Sequence, residues 1–333
     1  MSNILLSLAT GAALLLYGSA SAADPKQLTF AHSGGPGSLY DLSVKEFTRR
    51  LDEALPPGVI AIRIEGEGGV GDSPAVIASI KSGKVAFSLQ SSAMASLSET
   101  FGIFDLPFLI RDREQVRRIS AAMLEPVLQP EMRKQGLRII GIWENGFRHI
   151  TNNVRPIRRP EDLKGLKLRV PSGSKWREKL FRSLGAETIM LALRDVRDAV
   201  NDGKIDGQEN PLAQIKGARL QEVQRFLTLS DHTYTPAYLL VSDEHFAQLP
   251  PDVQRTIERT ATEMQPWVYE RAIKMESELI DELGEQMEIN QVDSRAFIEA
   301  SRPIYREFVQ TVPGGAKLVG LVQELSDAAG PSR

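Results

Sequence analysis

Residues 28–55 read LTFAHSGGPGSLYDLSVKEFTRRLDEAL, and they contain a strand, a turn and a helix in succession. Residues 28–31 form a short apolar run that is typical of a buried strand. A glycine-rich turn follows, and the apolar residues after it recur every three or four positions. This spacing predicts a helix with one apolar face, made of Tyr40, Val44, Phe47, Leu51 and Leu55. A strand followed by a helix that packs on it is the repeating unit of an α/β fold.

The same alternation continues along the chain. Further strands are predicted over residues 59–64, 85–89, 137–143, 166–170, 188–191 and 205–207. Helices are predicted over residues 75–82, 114–134, 175–184, 193–201 and 212–226, the second of them interrupted by prolines. The pattern therefore predicts two α/β domains, of which the second begins near residue 146.

A long amphipathic helix is predicted over residues 252–287, directly after Pro250 and Pro251. At 1.5 Å per residue it would span about 54 Å, which is longer than one domain of this size needs, so we expect it to cross between the domains. Pro266 lies inside it and predicts a kink. The predicted organisation is one lobe from residues 23–145 and 236–275, a second lobe from 146–235 and 276–325, and a flexible tail over 326–333.

The composition excludes several classes of function. A formal net charge of −3 on 333 residues does not provide the broad basic face that nucleic acids require. The absence of cysteine excludes disulfides and thiolate metal sites. The histidines show no paired i, i+4 spacing of the kind that zinc hydrolases use; they are His32, His149, His232 and His245. We therefore predict no metal site and no cofactor.

The N-terminus resembles an export signal. Residues 4–17 form an uncharged, mostly apolar run, and Ala20-Ser21-Ala22 matches the small-residue pattern that a signal peptidase cleaves. The run is shorter than the roughly 20 residues of a membrane-spanning helix, and no other stretch approaches that length. A signal peptide over residues 1–22, cleaved after Ala22, is predicted, with a retained N-terminal anchor as the alternative.

No catalytic motif is visible in the sequence. A Gly-x-Ser-x-Gly nucleophile elbow is absent, and the glycine-rich segment over residues 33–38 lacks the lysine of a phosphate-binding loop. That segment is either a simple turn between strand and helix or a rim that brings Ser33 or Ser38 to a ligand pocket. The sequence gives no acid–base pair or nucleophile that would indicate an enzyme.

Four motifs occur in order along the chain: FDLPF at residues 104–108, GFRHITNN at 146–153, LKLRVP at 166–171 and DGQENP at 206–211. Together they resemble the signatures of the extracytoplasmic solute-binding proteins of TRAP transporters, the DctP-type family. The resemblance extends over nearly the whole chain after residue 22, and residues 206–211 are its most specific part.

The resemblance implies a two-lobed, periplasmic-binding-protein-like α/β architecture with a central ligand cleft and the long kinked helix spanning both lobes. It also implies that the protein captures a small carboxylate and delivers it to the membrane permease subunits of a TRAP transporter, as an exported monomer without enzymatic activity. Two alternatives remain: a binding protein for an ATP-driven importer or a sensor kinase, and a periplasmic enzyme that uses the same cleft.

The motif match transfers three ligand-binding roles to this chain. Arg169, near the end of a predicted strand, would bind the carboxylate through two parallel hydrogen bonds. Arg148 would be a second anion contact or a latch, and Asn210 would offer both a donor and an acceptor to the ligand. The alternatives are a structural ion pair for each arginine and a turn-forming role for the asparagine.

Other positions are weaker candidates. The family often has an aromatic residue where this chain has Leu193, so Trp176 is a candidate for the missing wall, with burial in the core as the alternative. Arg197 either faces a second carboxylate or stands on the solvent face of its helix. From the first lobe, the predicted pocket residues are Gln90, Ser91, Ser92 and Tyr238.

Overall fold

The structure of the protein is a computed structural model that describes residues 25–327. The predicted signal peptide and residues 328–333 of the predicted tail lie outside that range. Ser326 and Asp327, the first residues after the chain segment assigned to the second lobe, belong to the last helix.

Eleven strands are present in the described residues: β1 Lys26–Ala31, β2 Ile60–Glu65, β3 Phe87–Gln90, β4 Leu137–Phe147, β5 His149–Asn152, β6 Lys167–Pro171, β7 Glu187–Leu191, β8 Gly207–Asn210, β9 Phe226–Leu229, β10 Tyr234–Ser242 and β11 Glu288–Gln291. They form two sheets. The first has the order β2-β1-β3-β10-β4, and the second has the order β11-β9-β5-β8-β6-β7. In the first sheet β10 runs antiparallel to β3 and β4, and in the second β5 runs antiparallel to β8 and β9.

The α-helices are α1 Leu39–Ala54, α2 Ser73–Lys81, α3 Met94–Leu97, α4 Arg113–Met123, α5 Gln129–Arg133, α6 Lys175–Ser183, α7 Val196–Asn201, α8 Leu212–Gly217, α9 Asp243–Ala247, α10 Pro251–Gly284, α11 Ser294–Thr311 and α12 Gly315–Asp327. Short 3₁₀ turns cover Glu99–Asp105, Pro160–Leu163, Leu193–Asp195 and Leu220–Glu222, and a π turn joins α4 to α5 over Leu124–Leu128.

The two-lobed α/β architecture is confirmed, with one sheet at the centre of each lobe. The chain passes between the lobes three times: at Arg148 between β4 and β5, between β9 and β10, and along α10 into β11. The residue bounds predicted for the two lobes stay a prediction. The last helix, α12, packs on α4 and on the 3₁₀ turn Glu99–Asp105 beside the first sheet.

The long predicted helix is present as α10, and it continues through Pro266. Its buried face packs on α1 and β4 in the first lobe and on α8 near the second sheet. Ile257, Ala261 and Val268 on this face are fully buried, and burying a valine or isoleucine side chain contributes about 1.5–3 kcal/mol. The helix therefore connects the two lobes mechanically, while the kink at Pro266 stays a prediction.

One predicted helix is wrong in its second half. The helix expected over residues 212–226 ends at Gly217, and Arg219 adopts a left-handed backbone conformation with φ of 54°. Phe226 then begins β9, which pairs with β5 and β11. Tertiary pairing with two strands, which local periodicity does not reveal, decides the structure of this segment.

Candidate functional site

A cavity lies between the two sheets, where parallel strands of both lobes end. Residues at or just after the carboxyl ends of β1, β3, β6, β7 and β8 line it. In open α/β sheets, ligands bind in the crevice outside the carboxyl ends of the strands. The cavity is therefore the candidate binding site.

Seven of the eleven side chains that the sequence singled out as ligand-binding candidates line this cavity. They are Ser33, Gln90, Ser91, Ser92, Arg148, Arg169 and Asn210. The two arginines and the asparagine were predicted from the motifs, and the other four residues from their positions after a predicted strand. That they contact a ligand stays a prediction.

Ser38 does not line the cavity. Its hydroxyl accepts a hydrogen bond from the backbone N–H of Asp41 at 3.3 Å and caps the N-terminus of α1. The glycine-rich turn is packed closely, because a Cβ on Gly35 would lie 2.1 Å from the carbonyl oxygen of Gly217. The segment is thus a tight turn that contacts α8, with Ser33 alone of its two serines at the cavity.

Tyr238 and Trp176 are in the hydrophobic core and do not form a cavity wall. Tyr238 lies in the middle of β10, and its ring packs edge-on against Phe101 at 5.2 Å because alternation along the strand turns it to that face. Trp176 on α6 packs against Phe308 at 5.0 Å and beside Gly102, where a Cβ would lie 2.5 Å from the indole ring. The core alternative for Trp176 is therefore the one that the structure shows.

Arg169 is buried beneath the cavity, and only some of its guanidinium nitrogens have hydrogen-bond partners. Its Nε and Nη2 donate to the carbonyl oxygen of Leu191 at 2.9 and 2.6 Å. Its Nη1 is buried and finds no hydrogen-bond partner among residues 25–327. Burial lowers the pKa of Arg169 to about 9, since Glu209 only partly offsets the loss of solvent. A bound anion would supply both the missing acceptor and the missing negative charge.

Arg148 is engaged in a structural ion pair. Its guanidinium donates through Nε and Nη2 to the Glu209 carboxylate, and Nη2 also donates to Oδ1 of Asn210 at 2.9 Å. The Asn210 amide nitrogen in turn donates to Oε1 of Gln208 at 2.5 Å. The Arg148 ion pair and the Asn210 amide therefore position each other, and much of the donor capacity of Arg148 is already used.

Arg177 is a further buried cation, and none of the sequence motifs contains it. It is fully buried on α6, donates to the hydroxyls of Ser92 and Ser174, and lies 3.4 Å from the Asp105 carboxylate. Its position three and four residues before the apolar Leu180 and Phe181 places it on the buried helix face. An arginine on the apolar face of a predicted helix is the sequence pattern that could have indicated a buried cation here.

The acidic groups in this cluster have opposite pKa shifts. Burial raises the pKa of Asp105 to about 6, with Arg177 acting against the rise. Burial would also raise the pKa of Glu209, but Arg148, Arg177 and a hydrogen bond from His232 hold it well below its usual range. Burial lowers the pKa of His232, which keeps the imidazole neutral.

The buried cluster has one excess positive charge at neutral pH. Its cations are Arg148, Arg169 and Arg177, and its anions are Asp105 and Glu209. Arg148 and Arg177 lie beside the two carboxylates, whereas Arg169 has no carboxylate in direct contact. Arg177 also has two guanidinium nitrogens without a hydrogen-bond partner among the described residues, but Arg169 is the one of these two arginines that lines the cavity, so we assign the excess charge to Arg169. Burying an unpaired charge is unfavourable, so the arrangement favours one bound anionic group.

Two further polar side chains at the cavity lack partners. Both ring nitrogens of His32 and the Oε1 atom of Gln214 are buried without a hydrogen-bond partner in the described part of the chain. The Gln214 amide nitrogen donates to Oδ1 of Asn145 at 3.2 Å, while the Asn145 nitrogen donates to Thr235 at 3.0 Å, so the network fixes Gln214 with its oxygen as the free atom. That oxygen needs a donor, which a hydroxyl provides and a carboxylate does not.

The mouth of the cavity is bridged by residues of both lobes. Arg194, which follows β7, donates to the carbonyl oxygen of Gly68 in the first lobe at 3.3 Å. Glu67 and Asp72 lie at this exposed rim. Arg197 is turned away from the cavity, and it donates to Glu222 at 2.7 Å and to the carbonyl oxygen of Arg219. Of the two alternatives for Arg197, the structure therefore shows the one in which it lies on the solvent face of its helix.

None of the cavity-lining residues belongs to a group of metal-ligating side chains within the range 25–327; the group found there is His149, Asp231 and Glu276, outside the cavity. Within residues 25–327, no helix combines the length and the apolar character that crossing a membrane requires.

Comparison with known proteins gives a family match. Residues 30–311 match the profile described as bacterial extracellular solute-binding protein, family 7 (DctP). The 2,3-diketo-L-gulonate-binding periplasmic protein YiaO of Escherichia coli K12 is 28% identical over 312 residues, which cover 92% of this chain and 94% of that protein.

Solved structures agree in fold over nearly the whole chain. The sugar acid binding protein DctPAm from Advenella mimigardefordensis, in complex with galactonate, superimposes with a TM-score of 0.86 at 28% identity, covering 92% of this chain and 99% of that one. A TRAP periplasmic solute-binding protein from Polaromonas sp. JS666, bound to D-erythronate, gives a TM-score of 0.84 at 26% identity, covering 90% and 98%.

Proposed function

Because this chain belongs to the bacterial extracellular solute-binding proteins of family 7, we propose that it captures one hydroxylated monocarboxylate, a sugar acid, and delivers it unchanged to a TRAP-type permease. The observation that carries this proposal is the single excess positive charge of the buried cluster, located at the partnerless Nη1 of Arg169.

Arg169 favours a ligand with one carboxylate. Its side chain is 3% exposed, so a carboxylate placed against it would be held in a region from which water is largely excluded. Charge-assisted hydrogen bonds between guanidinium and carboxylate are about twice as strong as neutral ones. One carboxylate neutralises the one excess charge, whereas two would leave an unmatched negative charge in the cavity.

Two neutral polar side chains at the cavity, His32 and Gln214, favour a ligand that carries hydroxyl groups. Gln214 presents a buried acceptor, and His32 presents an imidazole that both donates and accepts when neutral. Burial lowers the pKa of His32, against the opposing effect of Asp41, and so favours that neutral form. Hydroxyl groups match these two side chains, and the galactonate and D-erythronate of the two solved relatives are hydroxylated monocarboxylates.

Transport is the role that fits this ligand site. The solved relatives include a TRAP periplasmic solute-binding protein, which supports a TRAP permease as the partner of this chain. We propose that the protein is exported with cleavage after Ala22, acts in the periplasm as a monomer and performs no chemistry on its ligand. Two adjacent permease genes of unequal size in the genome would distinguish this from an ATP-driven importer or a sensor kinase.

Calorimetric titration tests the function directly. Galactonate and D-erythronate should each bind one to one. Succinate should bind more weakly, because its second carboxylate meets no second buried cation without an acidic partner at the cavity; Arg194, which also lines the cavity, is 47% exposed and interacts more weakly with an anion. Mass spectrometry should recover each ligand unchanged. Formation of a product would contradict a pure binding role, and tighter binding of succinate would contradict the monocarboxylate assignment.

Gln214→Leu is expected to weaken galactonate binding about fivefold, because it removes one hydrogen bond to a ligand hydroxyl that contributes about 1 kcal/mol. Gln221→Leu is the matched control: Gln221 also has a buried Oε1 with no partner among the described residues but lies outside the cavity. Calorimetry on both variants measures the effect. Equal affinities in Gln214→Leu and wild type would remove the argument for a hydroxylated ligand.

A further inference from the structure

Against the expectation from histidine spacing, we propose that His149, Asp231 and Glu276 bind a divalent cation of the zinc class at the place where the connections between the two lobes meet. One ligand atom from each of the three side chains lies within 4.8 Å of the others. His149 Nδ1 and Asp231 Oδ1 are 3.8 Å apart. A small shift of these side chains would bring all three to a shared cation.

The strongest evidence is the state of His149. Its side chain is 3% exposed, and neither ring nitrogen finds a hydrogen-bond partner in the described range. Buried polar atoms in native proteins nearly always have a partner, so an imbalance of this kind needs an explanation. A buried imidazole is neutral, and the neutral imidazole nitrogen is a common metal ligand.

The local charges match one divalent cation. Asp231 and Glu276 supply two negative charges. Arg113 donates to Glu276 at 2.8 Å, but it also pairs through Nε and Nη2 with both oxygens of Glu144, at 2.8 and 2.7 Å. The charge of Arg113 is therefore already matched by Glu144, and a cation with two positive charges leaves the group neutral.

The ligand types indicate the class of metal. One imidazole with two carboxylates suits Zn²⁺ and related transition metals, whereas Mg²⁺ and Ca²⁺ prefer sites built from oxygen alone. Three protein ligands fill three positions of a tetrahedral zinc site and leave one for water.

The position of the site suggests its role. His149 begins β5 after the first passage between lobes, Asp231 lies in the second passage between β9 and β10, and Glu276 is on α10, which forms the third. His149 does not line the ligand cavity, in contrast to its neighbour Arg148. A cation bound here would link all three connecting segments without occupying the ligand site.

Calorimetric titration of the tag-free, EDTA-treated protein with ZnCl₂ tests the proposal. We expect one Zn²⁺ per chain and at least about tenfold weaker binding in Asp231→Asn and in Glu276→Gln, since losing even an outer-shell partner reduces metal affinity by that much. Both substitutions keep the side-chain shape. Glu278→Gln is the control, because Glu278 is an exposed residue of the same helix. Zn²⁺ should raise the melting temperature of wild type and the control more than that of the two variants.

Absence of Zn²⁺ binding, equal affinity in all four proteins, or Mg²⁺ binding as tight as Zn²⁺ would each overturn the proposal. Galactonate titration of the same samples separates this result from the transport function. Intact galactonate binding without a zinc site would refute the cation site alone.

Discussion

Replacing Arg169 with alanine is expected to weaken binding of galactonate by roughly 30-fold to several thousandfold. Truncating one partner of a buried charge pair costs about 2–5 kcal/mol, because the ligand carboxylate is then buried without its counter-charge. The ligand-free protein should remain folded, since the substitution removes a cation that has no acidic partner of its own. Calorimetry measures the affinity, and circular dichroism checks the fold.

Two further variants sharpen this prediction. Arg194→Ala removes a cation at the same cavity whose side chain is 47% exposed, so we expect a much smaller loss. Arg169→Lys should restore only part of the affinity, because an ammonium group does not reproduce the parallel bonds of a guanidinium. Near-native affinity in folded Arg169→Ala would show that the carboxylate binds elsewhere.

Glu209→Gln is expected to destabilise the ligand-free protein by about 3–5 kcal/mol. The substitution breaks a buried ion pair and leaves Arg148 and Arg177 facing Asp105 as the remaining anion of the cluster. Urea denaturation followed by circular dichroism measures the change. Glu222→Gln is the control, because Glu222 forms exposed ion pairs with Arg197 and Arg219, and such pairs contribute about 1 kcal/mol or less.

We also expect the stabilisation by Glu209 to depend on pH. The pKa of Glu209 is lower in the folded protein than its ordinary value of 4.5. The stabilisation from its ionised form is therefore present above about pH 4.5 and is lost as the pH falls below that value. The stability difference between wild type and Glu209→Gln should shrink in acid. A difference as small as that of Glu222→Gln at neutral pH would show that the buried cluster does not stabilise the fold.

Local periodicity predicted seven of the eleven strands in the described residues and the two longest helices of the first lobe and the crossing, but not β5, β9, β10 or β11 and not α11 or α12. The apolar spacing from Tyr40 to Leu55 predicted α1, and the longer repeat after Pro251 predicted α10 to within three residues at its end. These patterns succeed because each helix buries one face, which fixes a period in the sequence. The segment after Gly217 was predicted wrongly, because pairing with β5 and β11 determines β9 and overrides the local helical spacing.

The candidate site could be predicted in part. Gln90, the last residue of β3, and Arg169, within β6, both line the cavity, because a strand that is predicted from its apolar run also locates the residues near its carboxyl end. That they contact a ligand stays a prediction. Tyr238 and Trp176 do not line the cavity, because the face on which a large aromatic side chain packs depends on neighbours far away in the sequence. Gln214 was missed, since its free oxygen results from a hydrogen-bond network with Asn145.

The sequence by itself determined the two α/β units and, through the family motifs, indicated Arg148 and Arg169 as candidate ligand contacts. Only the tertiary structure decided which of these two arginines keeps, at the cavity, a buried guanidinium nitrogen without a hydrogen-bond partner in residues 25–327. Glu209, 61 residues away from Arg148 along the chain, occupies that guanidinium, whereas Arg169 contacts only a backbone carbonyl through Nε and Nη2. Electrostatic pairing depends on distance in space and on exclusion of water, and neither quantity is encoded by local sequence spacing.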